Sequence, residues 1–205
     1  MSFDPAVPDG NVYPKYSTGN PLARRMMAGF LAAVDELSAP LAGLDVHEVG
    51  CGEGHLLQRF IRPGRQVRGS DYSGRVIEQA RQNIPAESGV TLEAISLYDL
   101  EPARHAAGLV VCCEVLEHID QPERGLDMLA ALAQPYLLAS VPREPLWRVL
   151  NLARGSYVRA WGNTPGHVNH WSKAGFVRFL ARRFEILTVR SPLPWTVVLC
   201  RSKKA

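Results

Sequence analysis

Residues 46–54 read Val46-His47-Glu48-Val49-Gly50-Cys51-Gly52-Glu53-Gly54. A short apolar strand runs here into a glycine turn, and an acid stands two positions before the first glycine. Such a turn lets a nucleotide-like ligand approach the backbone, but in dinucleotide sites it also meets a pyrophosphate, which seeks positive potential. Glu48 opposes an anion at that place. It suits a ligand whose reactive half is cationic and phosphate-free. The third glycine of the dinucleotide fingerprint is also missing, because position 55 is His55.

Outward from this turn the chain alternates apolar runs with helical spacing. Asn20 and Pro21 make a cap and first position for a helix to about Leu37. Leu44–Val49 is a short strand, Leu56–Ile61 is helical, and Gln66–Ser70 is a strand leading to Asp71. Ser73 can cap a helix over Arg75–Asn83, Val90–Ile95 reads as a strand, and Gly108–Cys113 is a buried run. Leu126–Ala133 is helical, Tyr136–Val141 is a strand, and Phe176–Arg183 is a helix. Ile186–Val189 and Thr196–Cys200 close the chain as successive strands, which predicts a C-terminal antiparallel hairpin. The alternation argues for an α/β fold with a doubly wound, mostly parallel sheet covered on both faces. Residues 1–19, with Pro5, Pro8 and Pro14, read as a lead-in, and 20–205 as one domain.

Glu48-Val-Gly-Cys-Gly-Glu-Gly resembles the first motif of class I S-adenosylmethionine-dependent methyltransferases. The resemblance covers most of the chain and implies a Rossmann-like, seven-stranded sheet. It also implies S-adenosyl-L-methionine as cofactor, held around Glu48, Gly50 and Gly52. Asp71, about twenty residues on, would accept both ribose hydroxyls, with Tyr72 beside it; that spacing alone serves NAD equally. The resemblance puts Asp99 near the adenine amino group and Leu100 beside the ring. Cys113 and Glu114 end the fourth strand against the adenosine and the methionine chain. Lys15-Tyr16-Ser17 and Asn20-Pro21-Leu22-Ala23-Arg24 resemble the lead-in of ubiquinone-type O-methyltransferases. There a basic residue meets the cofactor's carboxylate, here Arg24 or Arg25, and an aromatic, Tyr16, closes the pocket.

Glu114-Val-Leu-Glu117-His118 carries further chemistry. On a helix, both carboxylates and the imidazole would share one face. The run is similar to segments of two metal-using families, ubiquinone-type O-methyltransferases and small-RNA 2′-O-methyltransferases. In His167-Val-Asn-His170-Trp171-Ser172, His167 matches the RNA enzymes' further histidine. A metal there would lower the pKa of an acceptor hydroxyl. Many methyltransferases carry the run without one, so no metal is assigned. His167 and His118 are the candidate proton acceptors, and His170 is read as orienting the chain.

Net charge is +3 and hydrophobic composition 46%, which fits one soluble core and gives no global nucleic-acid signal. Cys51, Cys112, Cys113 and Cys200 show neither disulfide nor zinc spacing, as in a reducing cytoplasm. No apolar run reaches membrane-spanning length, so no membrane partner is expected. Residues 142–172 are longer than a plain crossover. They carry Trp147, Tyr157 and Trp161, with Arg143, Arg148, Arg154 and Arg159 against Glu144 alone as far as Trp161. They read as a substrate-facing insertion, with Leu146, Leu150 and Ala153 on one helix face. The expectation is a cytoplasmic methyltransferase, monomer or homodimer, acting on oxygen or nitrogen of a small and potentially anionic acceptor. The alternatives are a metal-assisted RNA 2′-O-methyltransferase and a non-catalytic cofactor-binding subunit.

Overall fold

The computed structural model describes residues 19–153, 155 and 157–203. In chain order its elements are α1 (Pro21–Ser38), β1 (Val46–Val49), β2 (Val67–Asp71), α2 (Gly74–Asn83), β3 (Thr91–Ala94), α3 (Pro102–His105) and β4 (Ala107–Cys113). Then follow α4 (Pro122–Leu132), β5 (Ala133–Pro142), α5 (Leu146–Ala153), α6 (Lys173–Leu180), β6 (Phe184–Arg190) and β7 (Trp195–Ser202). The expected lead-in, residues 1–19 with Tyr16 included, lies outside the described residues except for Gly19.

The seven strands form one sheet in the order β3-β2-β1-β4-β5-β7-β6. β1 through β5 pair in parallel, and β7 runs antiparallel to both β5 and β6. The final hairpin therefore folds back so that its second strand takes the inner position. Two apolar layers cover the sheet. On one face Met27, Phe30 and Val34 of α1 and Ile77 and Ala80 of α2 pack against Val46, Val111 and Leu138. On the other, Leu126 and Leu129 of α4 and Phe176 and Leu180 of α6 meet Val110, Leu137 and Val198. All seven residues of β4 are buried, as a central parallel strand requires.

Local chemistry explains where elements begin. The Asn20 side chain accepts from the backbone N–H of Leu22 and Ala23, and Pro21 gives up no hydrogen bond at the first helical position. Ser73 caps α2 by accepting from Val76. The Ser172 hydroxyl accepts from Gly175 at 3.1 Å, so α6 starts at Lys173 rather than Phe176 and ends at Leu180. α4 likewise starts earlier than expected, on Pro122. After the glycine turn the chain makes only a 3-10 turn, Leu57–Phe60, whose Leu57 and Phe60 are buried.

Candidate active site

The strand order reverses between β1 and β4, and open α/β sheets bind ligands in the crevice at that switch point, beyond the strands' carboxyl ends. The loops after β1, β2, β3 and β4 bring the sequence candidates to this edge. Gly50, at φ 75°, donates to the Ser70 carbonyl at 2.7 Å, and Cys51 donates to it at 2.9 Å. A Cβ at Gly50 would lie 2.2 Å from Val115 Cγ2, so the close approach of the β4 loop excludes any side chain there. At Gly52, φ 53°, a Cβ would meet no atom within 4 Å, so its backbone faces open space.

The Asp71 carboxylate ties the two loops together. Its Oδ2 accepts from Gly52 N–H and its Oδ1 from Ser73 N–H, each at 3.0 Å. A carboxylate has about four acceptor positions, so ribose hydroxyls can still be received. Glu48 is buried beside Val111 in the parallel register. Burial foremost, and then the negative charges of Glu48 and Asp71, hold the Cys51 thiol well above its ordinary range. Tyr72 is 57% exposed at this rim and Asp99 is exposed after β3. Leu100, expected beside the ring, is 2% exposed and packs into the core with the α4 leucines. Arg24 and Arg25 are both exposed on α1.

Glu114 does not begin a helix. It takes a left-handed conformation, φ 62°, and donates its N–H to the Ser140 carbonyl at 3.1 Å. A non-glycine residue held there costs of order 1–3 kcal/mol, a strain found at functional turns. Leu116–His118 then form a 3-10 turn, so the two glutamates do not share a helical face. A different group forms instead. Glu117, His118 and His167 bring carboxylate and imidazole atoms within 4.8 Å of one another.

Two loops far apart in sequence build this group. Val168 and Asn169 N–H both donate to the Glu117 carbonyl, at 2.9 and 3.0 Å. The Asn169 amide donates to the carbonyls of Leu116 and Ile119 at 3.0 and 2.6 Å. His118 Nδ1 donates to the Gly166 carbonyl at 3.0 Å, which makes Nε2 its basic nitrogen. The His118 and His167 rings meet edge to face at 4.8 Å, and Trp147 stacks near His167 at 6.1 Å. Trp147 Nε1 donates to Thr164 Oγ1 at 2.8 Å, and the buried Asn151 amide donates to Gly162 O at 2.7 Å and Thr164 Oγ1 at 3.2 Å. α5 therefore packs through Trp147 and Asn151, while Ala153, expected to share a helix face with Leu146 and Leu150, is exposed. His170 stands apart, exposed and bonded to Asn163 Oδ1 at 2.7 Å.

Sequence reasoning missed Asn151 and Thr164; an asparagine four residues after Trp147 in an apolar helix was the available signal. It also passed over Glu144 except as a lone acid. Burial raises the Glu144 carboxyl above its usual range, against the N–H of Arg148 and the charges of His170 and Arg148.

A seven-stranded sheet of this order, with an acid-bearing glycine turn at the β1–β4 switch point, is the fold of the class I S-adenosylmethionine-dependent methyltransferases, and the proteins this chain is similar to are methyltransferases. Residues 47–136 match the family model described as a methyltransferase domain. The chain is 30% identical over 149 residues to the ubiquinone biosynthesis O-methyltransferase of Nitrobacter winogradskyi, covering 71% of this chain and 56% of that protein. It spans less than two thirds of the length of such curated relatives. Among solved structures, it is similar to magnesium protoporphyrin IX methyltransferase of Synechocystis PCC 6803 with bound S-adenosylhomocysteine. That match has a TM-score of 0.70 at 22% identity, over 92% of this chain and 91% of that one. The N-methyltransferase NodS of Bradyrhizobium japonicum, in complex with S-adenosylhomocysteine, gives 0.68 at 17% identity over 95% and 94%.

Proposed function

We propose that the chain is an S-adenosylmethionine-dependent methyltransferase that methylates an oxygen or nitrogen of a small molecule. The observation that carries this reading is the turn itself: a half-buried Gly52 with open space where a side chain would stand, held by Asp71, in the negative potential of Glu48 and Asp71. An adenosyl ligand with an ammonium and a sulfonium fits that potential; a pyrophosphate does not. When bound, S-adenosylmethionine supplies a methyl group already activated on sulfur.

The chain's own residues then have limited work. Gly50 and Gly52 admit the ligand to the backbone, Asp71 receives the ribose hydroxyls, and Tyr72 and Asp99 form the adenine side. Cys113 and Glu114 border the methionine side, with Arg24 or Arg25 for its carboxylate. His167, or the basic Nε2 of His118, takes the acceptor's proton, while Trp147 shields the imidazole from water. A second reading places a divalent cation on Glu117, His118 and His167, since one carboxylate and two imidazoles within 4.8 Å suit such an ion. It would lower the pKa of an acceptor hydroxyl.

Calorimetric titration with S-adenosylmethionine, S-adenosylhomocysteine and NADH tests the main reading. Binding of both sulfur ligands, lost in Asp71→Ala, is expected; binding of NADH alone overturns it. Turnover that disappears with a chelator and returns with magnesium favours the second reading over the first.

A further inference from the structure

Two polar groups at the far end of the site make no hydrogen bond within the fold. Ser140 of β5 is fully buried, and its hydroxyl has no partner among the described residues. Trp195 begins β7 at 4% exposure, and its indole N–H is likewise without a partner among them. Buried polar groups that lack a protein partner are met by water or a ligand, and a buried tryptophan N–H is rarely left over.

The strands bring the two groups together. Pro142 pairs with Trp195 and Ser140 with Val197, and side chains alternate across a sheet, so Ser140 and Trp195 are diagonal neighbours on one face. That face is the α1 layer, which holds Leu138, Trp195 and Val197. β7 runs antiparallel to β5, so its first residues stand at the carboxyl edge of the parallel strands, where ligands bind. Ser140 is level with Cys113 of β4, and Glu48 of β1, beside Val111, faces the same layer one pleat deeper. On the other side the Trp195 ring lies 5.1 Å from Phe30 and 6.0 Å from Trp147, which stacks near His167. The two donors therefore stand between the methionine side of the cofactor site and the candidate proton acceptor.

Their chemistry selects a partner. Trp195 Nε1 can only donate, the Ser140 hydroxyl can donate with it, and a carbonyl oxygen has two lone pairs for them. A carboxylate there would meet the negative charges of Glu48 and Asp71, which a neutral carbonyl does not. The atom that attacks the methyl group is not their partner, since donors on a nucleophile hold back its electron pair. We propose that Ser140 and Trp195 receive a neutral carbonyl oxygen conjugated with the hydroxyl that is methylated, so that the acceptor is a hydroxy ketone of enol or phenol type. This acceptor class rests on the methyl-transfer reading. His167 or His118 takes the hydroxyl proton, the oxygen's electron pair forms the bond to the methyl carbon, and the carbon–sulfur pair stays on sulfur. Charge that spreads onto the carbonyl as the proton leaves is met by the two donors, which eases ionisation.

The test is calorimetry on the full chain saturated with S-adenosylhomocysteine, with 2′-hydroxyacetophenone and 2-ethylphenol as probes. These differ mainly in the carbonyl oxygen. The ketone should bind at least about tenfold more tightly, because 2-ethylphenol leaves both donors unmet. Ser140→Ala and Trp195→Phe should each cut that preference to about threefold or less, with 2-ethylphenol affinity kept in Ser140→Ala. Ser140→Ala removes a hydroxyl that makes no bond, so its thermal unfolding should match or exceed wild type. A clear loss of stability in Ser140→Ala overturns the proposal, because it shows that the hydroxyl serves the fold. Equal binding of the two probes to wild type, or a preference that survives in both variants, also overturns it. In those cases binding of S-adenosylhomocysteine leaves the methyl-transfer reading standing, whereas its failure to bind removes both.

Discussion

Acidification should destabilise this protein through His47. The side chain is fully buried in β1, its Nδ1–H donating to the His105 carbonyl at 2.7 Å and its Nε2 accepting from the Ser70 hydroxyl at 2.9 Å. Both bonds are made by the neutral imidazole, and burial pushes its pKa from 6.5 down to about 4. Above pH 6.5 neither the folded nor the unfolded chain protonates this group, and its full contribution is present. As pH falls below 6.5 the unfolded chain takes up a proton that the folded one refuses, so stability declines until the folded pKa is reached. At about 1.4 kcal/mol per pH unit, the interval down to pH 4 amounts to about 3 kcal/mol. That is a large share of the 5–15 kcal/mol typical of a domain. Urea denaturation at a series of pH values, on wild type and His47→Gln, measures it. Glutamine can keep one donor and one acceptor but does not titrate, while carboxylates and the other histidines contribute to both proteins. The wild type should be the more stable above pH 6.5 and lose that advantage steadily toward pH 4.5. Parallel pH dependences of the two proteins would refute the argument.

Three further outcomes follow from the site. Gly50→Ala places a Cβ against Val115 Cγ2 at a positive φ and should cost about 2–4 kcal/mol in denaturant unfolding, with Val115→Ala recovering the steric part. Asp71→Asn retains acceptor oxygen for only one of the Gly52 and Ser73 N–H groups and removes a charge. It should weaken S-adenosylhomocysteine binding at least about tenfold by calorimetry, at a stability cost of about 1–3 kcal/mol. Unchanged affinity would remove Asp71 from the ligand site. Asn151→Leu strands Gly162 O and leaves Thr164 Oγ1 with Trp147 Nε1 as its remaining donor. Hydrogen exchange should quicken in residues 162–168 and not in β1 or β4, and uniform protection would show that the clamp is dispensable.

Much of the sheet was legible because burial in this fold has local periodicity. The continuous apolar run of β4, the caps at Asn20 and Ser73, and the acid at the end of β2 each announce themselves within a few residues. The last hairpin was legible too, since two strands followed without a helix between them. What failed was inference from helical spacing over short stretches. Glu114–His118 has the spacing of a helix face, yet the Ser140 carbonyl and the approach of Val115 to Gly50 turn Glu114 left-handed. In α5 the apolar spacing put Leu146, Leu150 and Ala153 on one face, but the polar clamp on Gly162 and Thr164 decided which side packs.

The sequence by itself determined the α/β alternation and placed Glu48, Gly50, Gly52 and Asp71 at strand ends, because backbone pattern and turn chemistry act between near neighbours. Tertiary structure alone decided that Leu100 belongs to the core. It also decided that Glu117 and His118 join His167, about fifty residues away, through backbone carbonyls that carry no trace in side-chain identity. It turned Trp161 outward as well. Such outcomes depend on which loops meet in space, and hydrogen bonds between distant backbones settle that.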